Sequence, residues 1–334
     1  MIQCPACSNE IADDLYIRVY FSSYTKTTHR LYHCSMCNIE FWHPREIMTD
    51  IYESEHYGAY TEFHEGKRSL PQWCKPFFDK FPLKRGRLLD IGCGDGIFLK
   101  HAEELGFEIW GIDFDKRSIE NARRRFGFNN LYTKTLEEFV SYAETNDLSF
   151  DVITFFEVLE HQGRPLEFIN NVRKVLKADG YIAGSVPNRE RLFAEADRRL
   201  FMADYPPHHF LWFSKEAIRM FFVNNNFQSV ALFPVKLNIV RISEWLESVM
   251  LGKLSKEIKK RLMASLFRQY VKDERDLGKT VETFELLYGK DKKTVFLKFL
   301  RGIRNLFFLP IGLIFYHAFN KRGSQLYFQA ELRR

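Results

Sequence analysis

Arg87-Leu88-Leu89-Asp90-Ile91-Gly92-Cys93-Gly94-Asp95-Gly96-Ile97-Phe98-Leu99 decides the fold: a short apolar strand runs into a glycine-rich turn and then into a helix that extends through Glu104. Glycines at 92, 94 and 96 let the backbone turn sharply and come close to a ligand, while the start of the following helix offers free N–H groups and partial positive charge. A second apolar run, Glu108-Ile109-Trp110-Gly111-Ile112, ends in Asp113, 23 residues after Asp90. An acid at the end of the second strand of a β-α-β unit is where a ribose diol is held. The spacing is G-x-G-x-G, not the G-x-G-x-x-G of a dinucleotide site. Strand, turn, helix, strand and acid in this order point to a nucleoside-containing cofactor.

Upstream, cysteine spacing gives a second signal. Cys4-Pro5-Ala6-Cys7 and Cys34-Ser35-Met36-Cys37 are C-x-x-C pairs separated by 26 residues, an arrangement in which two tight turns present four thiolates to one tetrahedral Zn²⁺. Strands are expected at Tyr16–Phe21, Arg30–His33 and Ile39–Trp42, as in a zinc ribbon. Four thiolates leave no open coordination position, so the expected role of the metal is structural. Disulfides and unrelated thiols are the competing readings. The start, Met1-Ile2-Gln3-Cys4, lacks a basic segment followed by an apolar one, so a reducing cytoplasm is expected, and there zinc is favoured.

Leu88-Leu89-Asp90-Ile91-Gly92-Cys93-Gly94-Asp95-Gly96 resembles motif I of the class I S-adenosylmethionine-dependent methyltransferases, and Phe150-Asp151-Val152-Ile153-Thr154-Phe155-Phe156-Glu157-Val158-Leu159-Glu160-His161 resembles their fourth-strand motif. A helix at Pro165–Leu176 and a fifth strand at Gly180–Asn188 follow in order. With the ribbon and the segment Tyr205-Pro206-Pro207-His208-His209-Phe210-Leu211-Trp212-Phe213-Ser214, residues 1–235 and the final strand are similar to zinc-ribbon-bearing small-molecule methyltransferases, sugar methyltransferases among them. The resemblance implies a Rossmann-like, doubly wound, seven-stranded α/β sheet. It implies that the Asp90–Gly96 turn, with Gly92 and Gly94, holds the methionine end of the cofactor and that Asp113 holds the ribose. Thr135 and Leu136 would flank adenine, and Phe156, Glu157 and His161 would line the cofactor and acceptor side. Lys134 departs from the glycine or acid often found near adenine in related sequences.

Methyl transfer from a sulfonium is an in-line displacement, so the protein must hold donor and nucleophile collinear in a water-poor site. A hydroxyl or carbon acceptor must also lose a proton, and histidine is best tuned for that near neutral pH. His208 and His209 follow a Pro-Pro turn beyond the fifth strand, at the carboxyl edge where open α/β sheets bind ligands. Together with His161 they are the catalytic candidates; the alternative is that one of the pair caps the helix at Ser214–Ala217 and the other packs under Trp212. No Asn-Pro-Pro-Tyr tetrad follows the fourth strand, as it does in enzymes that methylate nucleic-acid amines, and no Pro-Cys pair suits covalent pyrimidine methylation. Cys93 reads as a small packing residue, and Cys74 has no assigned role.

The chain of 334 residues is 46% hydrophobic and 28% charged, enough for one large core or two, and its net charge of +6 is too mild to indicate a nucleic-acid binder. That charge is unevenly placed: residues 236–322 carry 19 basic and 9 acidic side chains, +10, and the remainder sums to −4. The expected organisation is a zinc ribbon at 1–43, a helical aromatic linker at 44–85, the cofactor-binding core at 86–235, a basic helical insertion at 236–322 and a final core strand at 323–334. Thr294, Lys298, Arg301 and Asn305 form a polar stripe on an amphipathic helix. The stretch 290–319 reads either as a lid or dimer face or as an element lying in a membrane interface; Leu306–Phe319 is too short to span. The expected partner is a small-molecule acceptor, with a sugar or a lipid-linked glycan precursor as the candidates, and not nucleic acid. An RNA substrate and a non-catalytic scaffold are the alternatives, and oligomeric state is left open.

Overall fold

The computed structural model describes residues 1–46, 69–192, 194, 195, 198, 204–236, 242 and 309–333. It divides into two compact units: Met1–Ala194 with Met202–Lys236 and Arg322–Arg334, and Glu195–Phe201 with Leu237–Lys321. The polar stripe at 294–305 and the linker aromatics Tyr52, Tyr57, Tyr60 and Phe63 lie outside the described residues.

In the first unit, strands β1 (Ile2–Gln3), β2 (Glu10–Ile11), β3 (Tyr16–Ser22), β4 (Thr27–His33) and β5 (Glu40–His43) come first, close to the strands expected from the sequence. A 3₁₀ turn at Gln72–Cys74 and helix α1 (Lys75–Lys80) lead into β6 (Gly86–Ile91). Then follow α2 (Ile97–Leu105), β7 (Phe107–Asp113), α3 (Lys116–Phe126), β8 (Leu131–Thr133), α4 (Leu136–Thr145) and β9 (Phe150–Phe156). Helix α5 (Pro165–Val175), β10 (Leu176–Pro187), β11 (Leu211–Trp212), α6 (Lys215–Asn224), β12 (Phe227–Pro234) and β13 (Gln325–Leu332) complete the unit.

The main sheet has the order β12-β13-β10-β9-β6-β7-β8. Its central pairings are parallel, and β13 runs antiparallel between β10 and β12. This is the doubly wound seven-stranded α/β fold expected from the sequence, with the late antiparallel strand in place. Strand β10 starts four residues before the expected Gly180, and an irregularity between Leu176 and Tyr181 absorbs the difference. Alternation along the strands sends Leu89, Ile91, Phe155 and Ile182 to one core, and Leu88, Val152, Ala183 and Tyr327 to the other, where Phe77, Phe98 and Phe107 join them.

A second sheet has the order β11-β5-β4-β3, so a strand from beyond the fifth core strand completes the ribbon. Trp42 is fully buried, its ring stands edge-on to Trp212 at 5.4 Å, and its backbone N–H donates to the Phe210 carbonyl at 2.9 Å. Ribbon and core thus share one hydrophobic cluster. No described helix is long and apolar enough to cross a membrane. In the second unit, residues 309–321 are helical, and Leu313 and Ile314 there are exposed.

Candidate active site

From β6 the chain passes to β7 and β8 on one side and then crosses to β9 and β10 on the other, so the sheet's switch point falls between β6 and β9. Ligands of open α/β sheets bind in the crevice at such a point, beyond the carboxyl ends of the strands. Gly92 follows β6 there with φ +75°, and Glu157 follows β9 with φ +54°. A left-handed non-glycine residue costs energy and is concentrated at functional sites. The two loops touch: a Cβ built on Gly92 would lie 2.8 Å from Val158 Cγ2.

Within the glycine turn, the N–H groups expected to face a ligand are spent internally. Gly92 and Cys93 donate to the Ile112 carbonyl, Gly94 to Asp113 Oδ2 at 2.9 Å, Gly96 to the Cys93 carbonyl and Ile97 to Asp95 Oδ1. Side-chain and backbone acceptors have captured these five donors, so the glycine turn presents fewer N–H groups to a ligand than the sequence suggests. Asp113 Oδ1 also accepts from the Asp115 N–H at 2.9 Å, so both carboxylate oxygens are aimed by backbone. Burial pushes the Asp113 carboxyl up to about 6 against those two N–H bonds. Asp90 is buried; burial, aided by the Asp113 charge, raises its carboxyl to about 8, although Thr154 Oγ1 donates to it at 2.7 Å.

Thr135 caps α4 in a capping box: its hydroxyl accepts from the Glu138 N–H, and Glu138 Oε2 accepts from the Thr135 N–H. Its side chain is therefore committed to the helix, and Leu136 beside it is buried. Lys134 lies over the Tyr142 ring, 5.9 Å from its centroid. Phe156 packs on Phe98 with ring centroids 4.7 Å apart. Cys93 is buried and its thiol is pushed well up by burial and the neighbouring carboxylates, as suits a packing residue.

Beyond β9, Glu157 Oε1 accepts from the buried Ser185 hydroxyl at 2.6 Å, and burial lifts its carboxyl to about 7. Glu160 is completely buried and neither of its oxygens has a hydrogen-bond partner among the described residues; burial, with Glu157 nearby, holds it well above the usual carboxylate range. His161 Nδ1 lies 2.7 Å from the His208 carbonyl oxygen. A carbonyl can only accept, so the proton sits on Nδ1 and Nε2 keeps its lone pair. Burial and the His209 charge keep His161 well below its ordinary value, hence neutral.

The His161 and His209 rings meet edge to face at 4.7 Å, and Glu160, His161 and His209 offer ligand-type atoms all within 4.8 Å of one another. His208 is buried, and burial followed by the His209 charge lowers it to about 4. The helix following this segment is capped by Ser214, whose hydroxyl accepts from the Ala217 N–H, so neither histidine is its cap. The structure thus brings His161, His208 and His209 together with Glu157.

Two residues of this cluster escaped the sequence reading. Asp204 Oδ1 lies 3.5 Å from His209 Nδ1, and Arg191 Nη2 donates to Asp204 Oδ2 at 2.7 Å. The only trace in the sequence is an acid five residues before His209, which no motif singles out.

At the ribbon, Cys4 Sγ lies 3.6 Å from Cys37 Sγ, Cys7 Sγ lies 3.6 Å from Cys34 Sγ, and all four sulfurs fall within 4.8 Å of one another. All four are free thiols, which removes the disulfide reading.

Residues 63–232, just over half of the chain, match the family described as a methyltransferase domain, and the chain belongs to that family. With the strand order above, this makes it a class I S-adenosylmethionine-dependent methyltransferase domain. The ubiquinone biosynthesis O-methyltransferase of Vibrio cholerae serotype O1 is 35% identical over 106 residues, 31% of this chain and 42% of that protein. The enzyme of the same name from Actinobacillus pleuropneumoniae serotype 5b is 37% identical over 108 residues, 31% of this chain and 46% of that one. The chain thus spans less than half the length of these curated relatives. A S-adenosylmethionine-dependent methyltransferase from Archaeoglobus fulgidus superposes with a TM-score of 0.47 at 17% identity, over 83% of this chain and all of that one.

Proposed function

We propose that this protein transfers a methyl group from S-adenosylmethionine to a hydroxyl of a small-molecule acceptor. The observation that carries the reading is the pairing, across the switch point, of the Gly92–Gly96 turn and Asp113 on one side with Glu157, His161 and His209 on the other. The fit to the cofactor is chemical. With its N–H groups used internally, the turn offers carbonyl and carboxylate acceptors, which suit an ammonium, and Asp113 offers two oriented acceptors, which suit a ribose diol. Asp90 then helps hold the methionine end, while Leu136 and the α4 start beside Thr135 flank the base.

The bound cofactor supplies an electrophilic methyl on a cationic sulfur. A histidine of the His161–His208–His209 group would take the proton that the acceptor hydroxyl gives up on methylation. Burial of this group keeps water from competing. The names of the relatives favour oxygen over carbon or nitrogen as the methylated atom; a sugar or glycan hydroxyl remains within this class.

The four thiols are read as a structural Zn²⁺ site. Zinc bonded to sulfur at about 2.3 Å in a tetrahedron separates the sulfurs by roughly 3.8 Å, and the two cross-pair distances of 3.6 Å match that. The ribbon is assigned to 1–43 and the catalytic core to 86–235 with 323–334, the stretch 236–322 being an insertion between its last two strands.

Calorimetry with S-adenosylmethionine and S-adenosylhomocysteine tests the reading, followed by S-adenosylhomocysteine release with catechol, UDP-glucose and a short RNA as acceptors. Micromolar binding lost in Asp113→Ala, with turnover of a hydroxylated small molecule, is the expected result. Absence of binding to folded, zinc-loaded protein would refute the enzyme reading; turnover of RNA alone would refute the acceptor class.

A further inference from the structure

Asp204 is pinned at both ends. Its backbone carbonyl accepts from the Trp212 indole N–H at 2.7 Å, and its Oδ2 accepts from Arg191 Nη2 at 2.7 Å. Arg191 is itself tied by Nη1 to the carbonyl of Asn188 at 3.2 Å, and Asn188 is buried just beyond β10. The carboxylate is thus referenced to the end of a core strand, and its other oxygen, Oδ1, faces His209 Nδ1 at 3.5 Å. The side chains of Arg191, Asp204 and His209 are 11%, 11% and 14% exposed, so solvent screens their interaction weakly.

We infer that Asp204 is the positioning residue that fixes His209 as the proton acceptor of the methyl transfer, an inference that rests on the reading of this site as a methyltransferase. A carboxylate facing Nδ1 requires the proton there, which leaves the lone pair on Nε2. That nitrogen then serves the acceptor hydroxyl, and the imidazolium formed when it takes the proton stays beside an anion already in place. Arg191 decides that Asp204 is that anion: burial alone would favour its neutral form, but His209 and Arg191 hold the carboxyl below its ordinary range.

The remaining groups around His209 do not compete for this role. His161 has its own proton fixed on Nδ1 by the His208 carbonyl. His208 is held neutral by burial, and Glu160 keeps its proton. Glu157 is engaged by Ser185. His161 Nε2 also lies 3.9 Å from Glu160 Oε1, but burial favours the neutral form of that carboxyl, whereas Asp204, 3.5 Å from His209, is paired with Arg191; His209 is therefore the histidine of the three whose facing carboxylate has a cation holding it ionised.

The test is the tautomer of His209, read from nitrogen–proton correlation spectra of the full chain labelled with ¹⁵N-histidine and assigned with His209→Ala. At a pH where the ring is neutral, the wild-type protein is expected to carry its proton on Nδ1. Asp204→Asn should shift the ring toward the Nε2–H form and Asp204→Glu should restore it, with S-adenosylmethionine affinity unchanged in both. In turnover with the hydroxyl acceptor that reacts, Asp204→Asn should lower kcat about 100-fold or more while the KM for S-adenosylmethionine stays within about twofold. A wild-type His209 protonated on Nε2 would overturn the inference without any variant, and so would nitrogen shifts or a kcat indifferent to Asp204→Asn. Failure of the wild-type protein to bind the cofactor would instead strike the methyltransferase reading, since the tautomer measurement needs neither cofactor nor acceptor.

Discussion

Replacing Gly92 by alanine separates two costs that the structure assigns to this position. The first is conformational: Gly92 has φ +75°, and a residue with a Cβ in the left-handed region loses about 1–2 kcal/mol. The second is contact: the new Cβ would stand 2.8 Å from Val158 Cγ2, where carbon atoms settle at about 3.5–4.0 Å. Val158 must therefore move, and it sits between Glu157 and the 3₁₀ turn Leu159–His161, so the movement carries the acceptor side of the crevice with it. Gly127 is the internal control, because it ends α3 with φ +73° and a Cβ there meets nothing within 4 Å. Denaturant unfolding should find Gly127→Ala destabilised by about 1–2 kcal/mol, with cofactor binding unchanged. Gly92→Ala should be destabilised further and should bind S-adenosylmethionine about tenfold or more weakly by calorimetry, about 1.4 kcal/mol. Adding Val158→Ala removes the obstructing methyl, so the double variant should recover most of the affinity while keeping the conformational cost. Wild-type affinity in Gly92→Ala, or a double variant no better than the single one, would refute the claim that the two loops are in register through this contact.

Two further outcomes follow from the charges and the thiols. Burial raises Asp113 to about 6 and Asp90 to about 8, above the roughly 3.9 of an unfolded aspartate. The folded apoprotein therefore holds these protons more tightly than the unfolded chain, and this contribution to stability is full below about pH 4 and is lost as pH rises toward 8. Binding of a cationic cofactor favours the ionised carboxyls, so affinity should rise between about pH 5.5 and 7 while apoprotein stability declines; parallel trends in calorimetry and unfolding would contradict the assignment. Chelation of zinc, or Cys37→Ser, should lower the melting temperature and change the near-ultraviolet dichroism of Trp42 and Trp212, leaving S-adenosylmethionine affinity within about threefold; a loss of affinity as large as that of Asp113→Ala would show that the ribbon also builds the cofactor side.

The fold was legible because its signals are local. The run Arg87–Leu99, the acid at Asp113, the fourth-strand motif and the fifth strand are each short contiguous segments, and the structure places them as strands β6, β7, β9 and β10 around one switch point. The cysteine pairs were equally plain. What escaped was set by tertiary approach. The N–H groups of the glycine turn looked free because their acceptors, the Ile112 carbonyl and the Asp113 carboxylate, belong to the next strand. At Thr135 a local signal was passed over as well: Glu138 three positions on marks a capping box that the sequence alone displays. Asp204 and Arg191 could not have been singled out, since they stand 13 positions apart and tertiary contacts with Arg191 and Trp212 hold Asp204 where its carboxylate meets His209.

The ribbon's place in the fold gives the histidine segment its rigidity. A segment of coil between β10 and α6 would ordinarily be a poor platform for a base that must be held to within a fraction of an ångström. Here its far end is a sheet strand: β11 pairs with β5, and the Phe210 backbone is held on both sides, its carbonyl by the Trp42 N–H and its own N–H by the Glu160 carbonyl. Arg45, just past β5, donates from Nε to the Gly163 carbonyl and from Nη1 to the Trp42 carbonyl, tying the loop after β9 to the same ribbon edge. Arg18 on β3 reaches Tyr205 Oη at 2.8 Å, at the start of the Pro-Pro-His-His run. Every hydrogen bond in this set ends on one of the two loops that carry Glu157, His161, His208 and His209, or on the ribbon strand beside them, and none ends on the glycine turn or Asp113. Among the described residues, the ribbon therefore bears on the half of the crevice proposed to take the acceptor, while the half proposed for the cofactor rests on the core strands.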